Sequence, residues 1–337
     1  MSKKDLGLLT LIVAVGVVVS ILNPRFLLPI NISNTANMVG LFGLSAIGQA
    51  FVIITGGIEL SVGSVIALIG VLFVDFIANR GIPWPVAVLL MLALSVLIGL
   101  AHGLLITKLR LQPFIVTLCG LLVYRGVARF YTQDATAGFG FGQNFPLLNW
   151  LTVGRSYGVP NSFIAMLIVG AIMWVVLHRS VFGRYLYAVG KNEEAARFSG
   201  IRTDRVVIWA YVICQLLTAL AAMYFAMYTG SISPASQGNF YELYAIAAAV
   251  LGGFSLRGGE GSLGGVILGV VLLQELQNLV NLLGIPSSLN FAVMGGVILI
   301  GVTIDQQWGR LRARQRGVGI AGPTVKGGWF RRIVSGA

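Results

Sequence analysis

Of 337 residues, 57% are hydrophobic and only 10% are charged, against roughly 25% charged in ordinary soluble domains, so the composition excludes a soluble globular protein and implies a polytopic membrane protein. The net charge of +12 would suit a nucleic-acid partner only if the basic residues shared a water-facing surface. Their positions along the chain argue otherwise.

Ten apolar runs have lengths suited to helices crossing about 30 Å of hydrocarbon: residues 6–22, 36–55, 62–78, 84–106, 113–131, 161–177, 206–228, 241–254, 263–283 and 289–304. No polar block between them is large enough for a separate soluble domain. The expected organisation is one all-α membrane domain over 1–304 and a basic tail over 305–337. With the N-terminus inside, 18 of the 23 Lys and Arg residues fall on the inner side, and only Arg25, Arg80, Arg125, Arg129 and Arg155 lie outside or near outer helix ends. That asymmetry satisfies the positive-inside rule across an even number of spans and predicts cytoplasmic N- and C-termini. The charge excess then reports orientation, and no nucleic-acid partner is expected.

Lys3-Lys4 and the first span resemble the start of a signal peptide, but Asn23-Pro24-Arg25-Phe26 offers no small-residue cleavage site, so an uncleaved first helix is expected. Cys119 and Cys214 fall inside spans without neighbouring Cys or His. They are expected as small buried apolar residues rather than a disulfide or metal site.

Three connections exceed short turns. An outer loop at 132–160 carries Gly138-Phe-Gly-Phe-Gly142, Phe145-Pro146 and Trp150; it is suited to lie on the membrane surface or cap the outer mouth. An inner loop at 178–205 holds the polar island Gly190-Lys-Asn-Glu-Glu-Ala-Ala-Arg-Phe-Ser-Gly200. The arginine- and glycine-rich tail suits a lipid-facing segment.

Enzymatic signatures are missing. No glycine-rich loop ends in Lys-Ser/Thr, since Gly190-Lys191 is followed by Asn192. Gly317-Val-Gly-Ile-Ala-Gly322 spells a dinucleotide fingerprint but follows an arginine run rather than a strand. His102 and His178 have no carboxylate close in sequence. Neither enzymatic activity, nor a metal, nor a bound cofactor is expected of this chain.

Polar and glycine-rich sequence at membrane depth is costly and is therefore examined for function. The first case is Thr55-Gly56-Gly57-Ile58-Glu59-Leu60-Ser61-Val62-Gly63-Ser64, a break between apolar runs. Such backbone is tolerated in a bilayer only when protein buries it or it lines a cavity. Glu59 then needs a partner: a helix N-terminus, a basic side chain or water. The break is either a tight inner turn with Ser61 capping the third span, or part of a translocation path or gate. The second case is Leu251-Gly-Gly-Phe-Ser-Leu-Arg-Gly-Gly-Glu-Gly-Ser262, at the end of an unusually short span, a common mark of a transporter's moving parts. Both segments read Gly-Gly-x-x-Leu and end in Gly-Ser, a hint of duplication, and Arg257 could pair with Glu260. The third is the stripe Gln274, Asn278 and Asn281 at i, i+4 and i+7 of the ninth span, with a thinner version at Ser45 and Gln49. Neutral amides suit a polyhydroxylated solute; helix-to-helix hydrogen bonding is the other reading.

The polar island has its own local logic. Asn192 can cap a short helix, Glu193 and Glu194 suit its positive end, and Gly200 can terminate it. Ala195 and Ala196 would leave a slim face that fits a partner's groove.

Four segments in order, Gly56–Ser64, Gln112-Pro-Phe-Ile-Val-Thr-Leu118, Gly190–Ile201 and Leu251–Ser262, resemble the successive signatures of ribose-type permeases of bacterial ABC importers, relatives of the branched-chain amino acid permeases. The resemblance covers nearly the whole chain. It implies the type II ABC importer permease fold in the inner membrane, a homo- or heterodimer of permease subunits, two cytoplasmic ATPase subunits that use the ATP, and a periplasmic solute-binding protein. It also implies that the island, with Asn192, Glu193, Glu194, Ala195, Ala196, Ser199 and Gly200, is the coupling element. Path or gating candidates are Gly56, Gly57, Glu59, Ser61, Gln274, Asn278 and Asn281. The chain departs from the family in carrying Glu59 where Asp is common. The expected function is ATP-driven import of a monosaccharide or similar polar solute by alternating access. The rival is a proton-coupled secondary transporter, for which Asp75, Glu242 and Glu275 are scattered in sequence unless folding gathers them.

Overall fold

Proline sets the start of four helices, because its missing N–H costs nothing in a first turn and its φ is already helical. Pro29, Pro85, Pro113 and Pro146 all occupy the first or second helical position. The computed structural model describes residues 3–140 and 144–286, together with 289, 292, 295, 296, 299 and 303. Among these residues the helices are α1 (Lys3–Leu22), α2 (Pro29–Ile53), α3 (Val62–Ala78), α4 (Trp84–Thr107), α5 (Pro113–Thr132), α6 (Pro146–Thr152), α7 (Asn161–Arg179), α8 (Val181–Lys191), α9 (Glu193–Phe198), α10 (Thr203–Thr229), α11 (Tyr241–Leu251) and α12 (Leu263–Leu282).

Seven of them, α1, α2, α4, α5, α7, α10 and α12, are long and apolar enough to cross a membrane, while α3 and α11 are shorter apolar helices. Nine of the ten expected spans thus coincide with helices. The tenth, 289–304, lies largely outside the described residues, and the tail with its Gly317–Gly322 match lies wholly outside them. Residues 1–294 form one compact unit; of 295–337 only four residues are described, all helical.

Helices α2, α3 and α10 make the centre. Most of α2 and α10 is buried, and the run from Val62 to Val71 in α3 is buried without interruption. On this centre pack α4 against α10, α5 against α3, α7 against α2, and α12 against both α2 and α11, with α1 outermost on α12. The outer helices α1, α4, α5 and α7 leave most of their leucines, valines and isoleucines exposed. That is the pattern expected when hydrocarbon, rather than water, is the solvent.

Helix α2 starts seven residues before the apolar run that announced it. Its first turns carry Asn31, Thr35 and Asn37, which hydropathy discounts but which bond to other helices. The eleven-residue length of α11 has a tertiary cause. After α10 ends at Gly230, the chain folds back into the bundle, where the Arg125 guanidinium donates to the carbonyls of Pro234 at 3.0 Å and Gln237 at 2.7 Å. Gly238 there lies backbone to backbone against Gly63 at the start of α3. The returning segment uses up depth that a full span would otherwise fill.

The outer loop is structured. Ala137–Gly138 pairs antiparallel with Ser231–Ile232, α6 follows, and Arg155–Ser156 pairs with Val159–Pro160. The edges of Phe139 and Phe145 meet at 5.9 Å between centroids. Arg129 holds Asp134 at 2.5 Å, and this hydrogen bond keeps the Asp134 carboxyl below its ordinary range. One expectation fails here in a simple way: Cys119 is exposed on α5 rather than buried, while Cys214 is fully buried in α10.

Candidate functional site

The backbone leaves helical geometry after Ile53 and regains it at Val62, and within this break Glu59 and Ser61 are completely buried. A buried carboxylate must be compensated on both oxygens, and this one is. Glu59 Oε1 accepts from the Ser61 backbone N–H at 2.7 Å and from its hydroxyl at 2.6 Å. Glu59 Oε2 lies 2.7 Å from His102 Nδ1 on α4, itself 2% exposed. A carboxylate only accepts, so Nδ1 carries the proton toward Glu59, and Nε2 faces the Tyr124 hydroxyl of α5 at 2.9 Å. Of the three partners anticipated for Glu59, the basic side chain and the helix N-terminus are both present. The expected Ser61 cap is not formed: Ser61 occupies the N-cap position of α3 without a side-chain cap bond, because its hydroxyl is committed to Glu59.

Helices α5 and α10 also grip the break. Tyr211 and Thr117 both donate to the Ile58 carbonyl at 3.3 Å, and Gln215 Nε2 donates to Ser61 Oγ at 3.3 Å. Beside them, Gln49 Nε2 and Gln215 Oε1 are buried with no hydrogen-bond partner among the described residues. The amides at the centre of the bundle therefore come from α2 and α10, and not from α12.

The inner loop of the sequence is two helices. Ser180 caps α8, its hydroxyl accepting from Gly183 N at 3.0 Å. Asn192 then caps α9, Oδ1 accepting from Ala195 N at 2.9 Å. Glu193 and Glu194 fill the first turn of α9, and Gly200, at φ +84°, carries the chain out of it in a left-handed conformation that glycine adopts without strain. The slim two-alanine face is corrected. Ala195 is exposed, but Ala196 is buried against the chain itself, so the exposed face of α9 combines Glu194, Ala195 and Phe198, the last 92% exposed. Ser199 donates back to the Ala195 carbonyl at 2.9 Å. Glu193 pairs with Arg197 inside α9 at 2.7 Å, while looser contacts, Glu193 to Arg110 at 3.7 Å and Arg197 to Asp204 at 3.9 Å, reach neighbouring segments; Asp204 itself binds Lys108 at 2.7 Å.

Helix α8 connects that exposed helix to the buried break through backbone. Gly190 sits so close to the Ile54 carbonyl and Gly259 that an added Cβ would overlap both, and a Cβ on Gly258 would lie 2.8 Å from Gly56 N. Gly259 N donates to the Ile54 carbonyl at 2.8 Å. The two glycine-rich segments that look alike in sequence thus meet, with the end of α8 packed against both. Glu260 of the second segment is bound by Lys191 of α8.

One residue of the stripe on α12 joins helices. Asn278 exchanges hydrogen bonds with Asn31 at 2.7 and 3.1 Å and donates to Thr35 at 3.0 Å, joining α12 to α2. Gln274 is buried and Asn281 exposed. The carboxylates required by the proton-coupled rival are not gathered: Asp75 bonds Arg80 and Tyr131, Glu242 lies against Gly63, and Glu275 lies against Gly16. Sequence reading passed over His102 because its carboxylate is 43 residues away. The signal available was that Glu59 required a base and that the spans contain a lone His.

A bundle of apolar helices, broken by glycine-rich backbone at its centre, defines a multi-pass membrane protein. The chain belongs to the family described as the branched-chain amino acid transport system / permease component, which matches residues 31–302. It is 43% identical to the ribose import permease protein RbsC of Bacillus subtilis over 90% of this chain and 91% of that protein. It is also similar to RbsC of Escherichia coli K12, at 39% over 91% and 94%, and to the fructose import permease protein FrcC of Rhizobium meliloti, at 33% over 88% and 82%. No solved structure matches the chain. Family membership makes it a permease component rather than an enzyme and places it as a multi-pass protein of the inner membrane.

Proposed function

We propose that this chain is the permease subunit of an ATP-driven importer that carries a monosaccharide from periplasm to cytoplasm by alternating access. Partner subunits supply the rest: two ATPases inside, a solute-binding protein outside and a second permease copy or homologue across a dimer interface. Ten spans with both termini inside fit the charge asymmetry. The names of the relatives support a sugar, and neutral Gln49 and Gln215 at the bundle centre suit hydroxyl groups.

The observation that carries the reading is the backbone joint between α8 and the break. An ATPase pressing on the exposed face of α9 displaces α8. Gly190 then bears directly on Ile54 and Gly258–Gly259, which lead into Glu59 and α3 on one side and into α12 on the other. Backbone packed without side chains between transmits a small displacement rather than absorbing it. Asn192, Glu193, Glu194, Ala195, Ala196, Ser199 and Gly200 form the coupling helix and its caps. Gly56, Gly57, Glu59 and Ser61 form the gate element, while Asn278 braces α12 against α2.

Proteoliposomes containing the permease, its ATPases and its binding protein should take up labelled ribose only with ATP inside the ATPase compartment. Uptake driven by a proton gradient in the permease alone would overturn this reading. It would favour the second one, proton coupling through the buried Glu59, His102 and Tyr124 chain.

A further inference from the structure

A groove of about 410 Å³ opens between α8 and the start of α10, lined by Phe182, Tyr185, Ile201, Arg202, Arg205 and Trp209. Its two arginines differ from their neighbours. Lys108, Arg110 and Arg197 are paired with Asp204 and Glu193, whereas Arg202 and Arg205 are exposed and make no ion pair among the described residues. They stand on one face of α10 with Trp209, which follows one turn further along this spanning helix and is 54% exposed. Tyr185 of α8, 40% exposed, forms the opposite wall with Phe182.

We propose that this groove binds an anionic phospholipid, with the headgroup phosphate held by Arg202 and Arg205 and an acyl chain laid against Trp209 and Phe182. Unpaired guanidinium groups at the end of an apolar span complement an anionic headgroup in charge, and guanidinium offers phosphate a two-pronged donor set. Exposed Trp and Tyr belong at the headgroup level of a bilayer. The walls are apolar toward the span and cationic toward its end, the polarity of a lipid in its leaflet. Because the groove includes Ile201 and is adjacent to Gly200 at the exit of α9, an occupying lipid would steady the short helix.

Quenching of tryptophan fluorescence by brominated lipids tests this. The full-length permease is reconstituted in phosphatidylcholine vesicles containing brominated phosphatidylglycerol or brominated phosphatidylcholine, and Trp209→Phe identifies the Trp209 contribution among the six tryptophans. The wild type should prefer phosphatidylglycerol at Trp209 by about fivefold per arginine, the factor from about 1 kcal/mol per basic residue near an anionic surface. R202Q/R205Q should abolish the preference, and R202K/R205K should retain most of it while matching the wild type in resistance to trypsin. Equal quenching by the two lipids in the wild type, or an undiminished preference in R202Q/R205Q, overturns the proposal. Loss of ATPase co-purification in R202Q/R205Q without any wild-type lipid preference also overturns it and makes the groove a protein-docking face.

Discussion

Replacing Glu59 gives the sharpest test of the buried centre. Glu59→Ala removes the acceptor for the Ser61 N–H, the Ser61 hydroxyl and His102 Nδ1 together, at 2.7, 2.6 and 2.7 Å. Each buried donor left without an acceptor costs about 1–3 kcal/mol. Glu59→Gln is gentler: its carbonyl can keep both Ser61 bonds, and its NH2 can donate to Nδ1 once the imidazole carries its proton on Nε2, which then donates to Tyr124. A cost of about 1 kcal/mol, one ordinary hydrogen bond, is expected. Reversible unfolding in mixed detergent and SDS micelles, followed by tryptophan fluorescence, measures both. With His102→Ala and the double variant it also yields a coupling energy, expected at about 0.5–3 kcal/mol for residues in contact. An alanine variant within about 0.5 kcal/mol of wild type, the range of a neutral surface change, would refute the buried pairing. Equal losses for Ala and Gln would refute the expectation that Gln keeps the Ser61 hydrogen bonds.

Three further outcomes follow from named contacts. Gly190→Ala must open the joint at Ile54 and Gly259, at about 1–3 kcal/mol; ATPase activity stimulated by binding protein should fall while Gly264→Ala, with open space around it, behaves as wild type. Ala195→Arg, placed on the exposed face of α9, should leave the unfolding midpoint in mixed micelles unchanged but abolish stimulated ATP hydrolysis; normal coupling would remove α9 as the docking helix. Asn278→Leu should cost about 0.6–2 kcal/mol in unfolding, the range of hydrogen bonds between membrane helices, and leave the KM for sugar uptake unchanged. A raised KM with unchanged stability would return Asn278 to the solute path.

What is local or periodic was legible in the order of the residues. Apolar runs announced nine helices of the described chain, since a span needs only about 20 consecutive residues of one character. The island around Asn192 was legible down to the capping atom, because a cap, its acidic first turn and its closing glycine all lie within nine residues. The start of α2 was missed because Asn31 and Thr35 are polar for a tertiary reason: they bond to Asn278, more than two hundred residues away. Helix packing set the rest: which base meets Glu59, that Ala196 faces inward, that Lys191 binds Glu260, and that two similar glycine-rich segments meet beside Gly190. Each of these depends on which helices become neighbours. Hydropathy is blind to that choice, since one apolar helix satisfies it as well as another; burial of backbone and of lone polar groups, which must find partners inside the bundle, makes it.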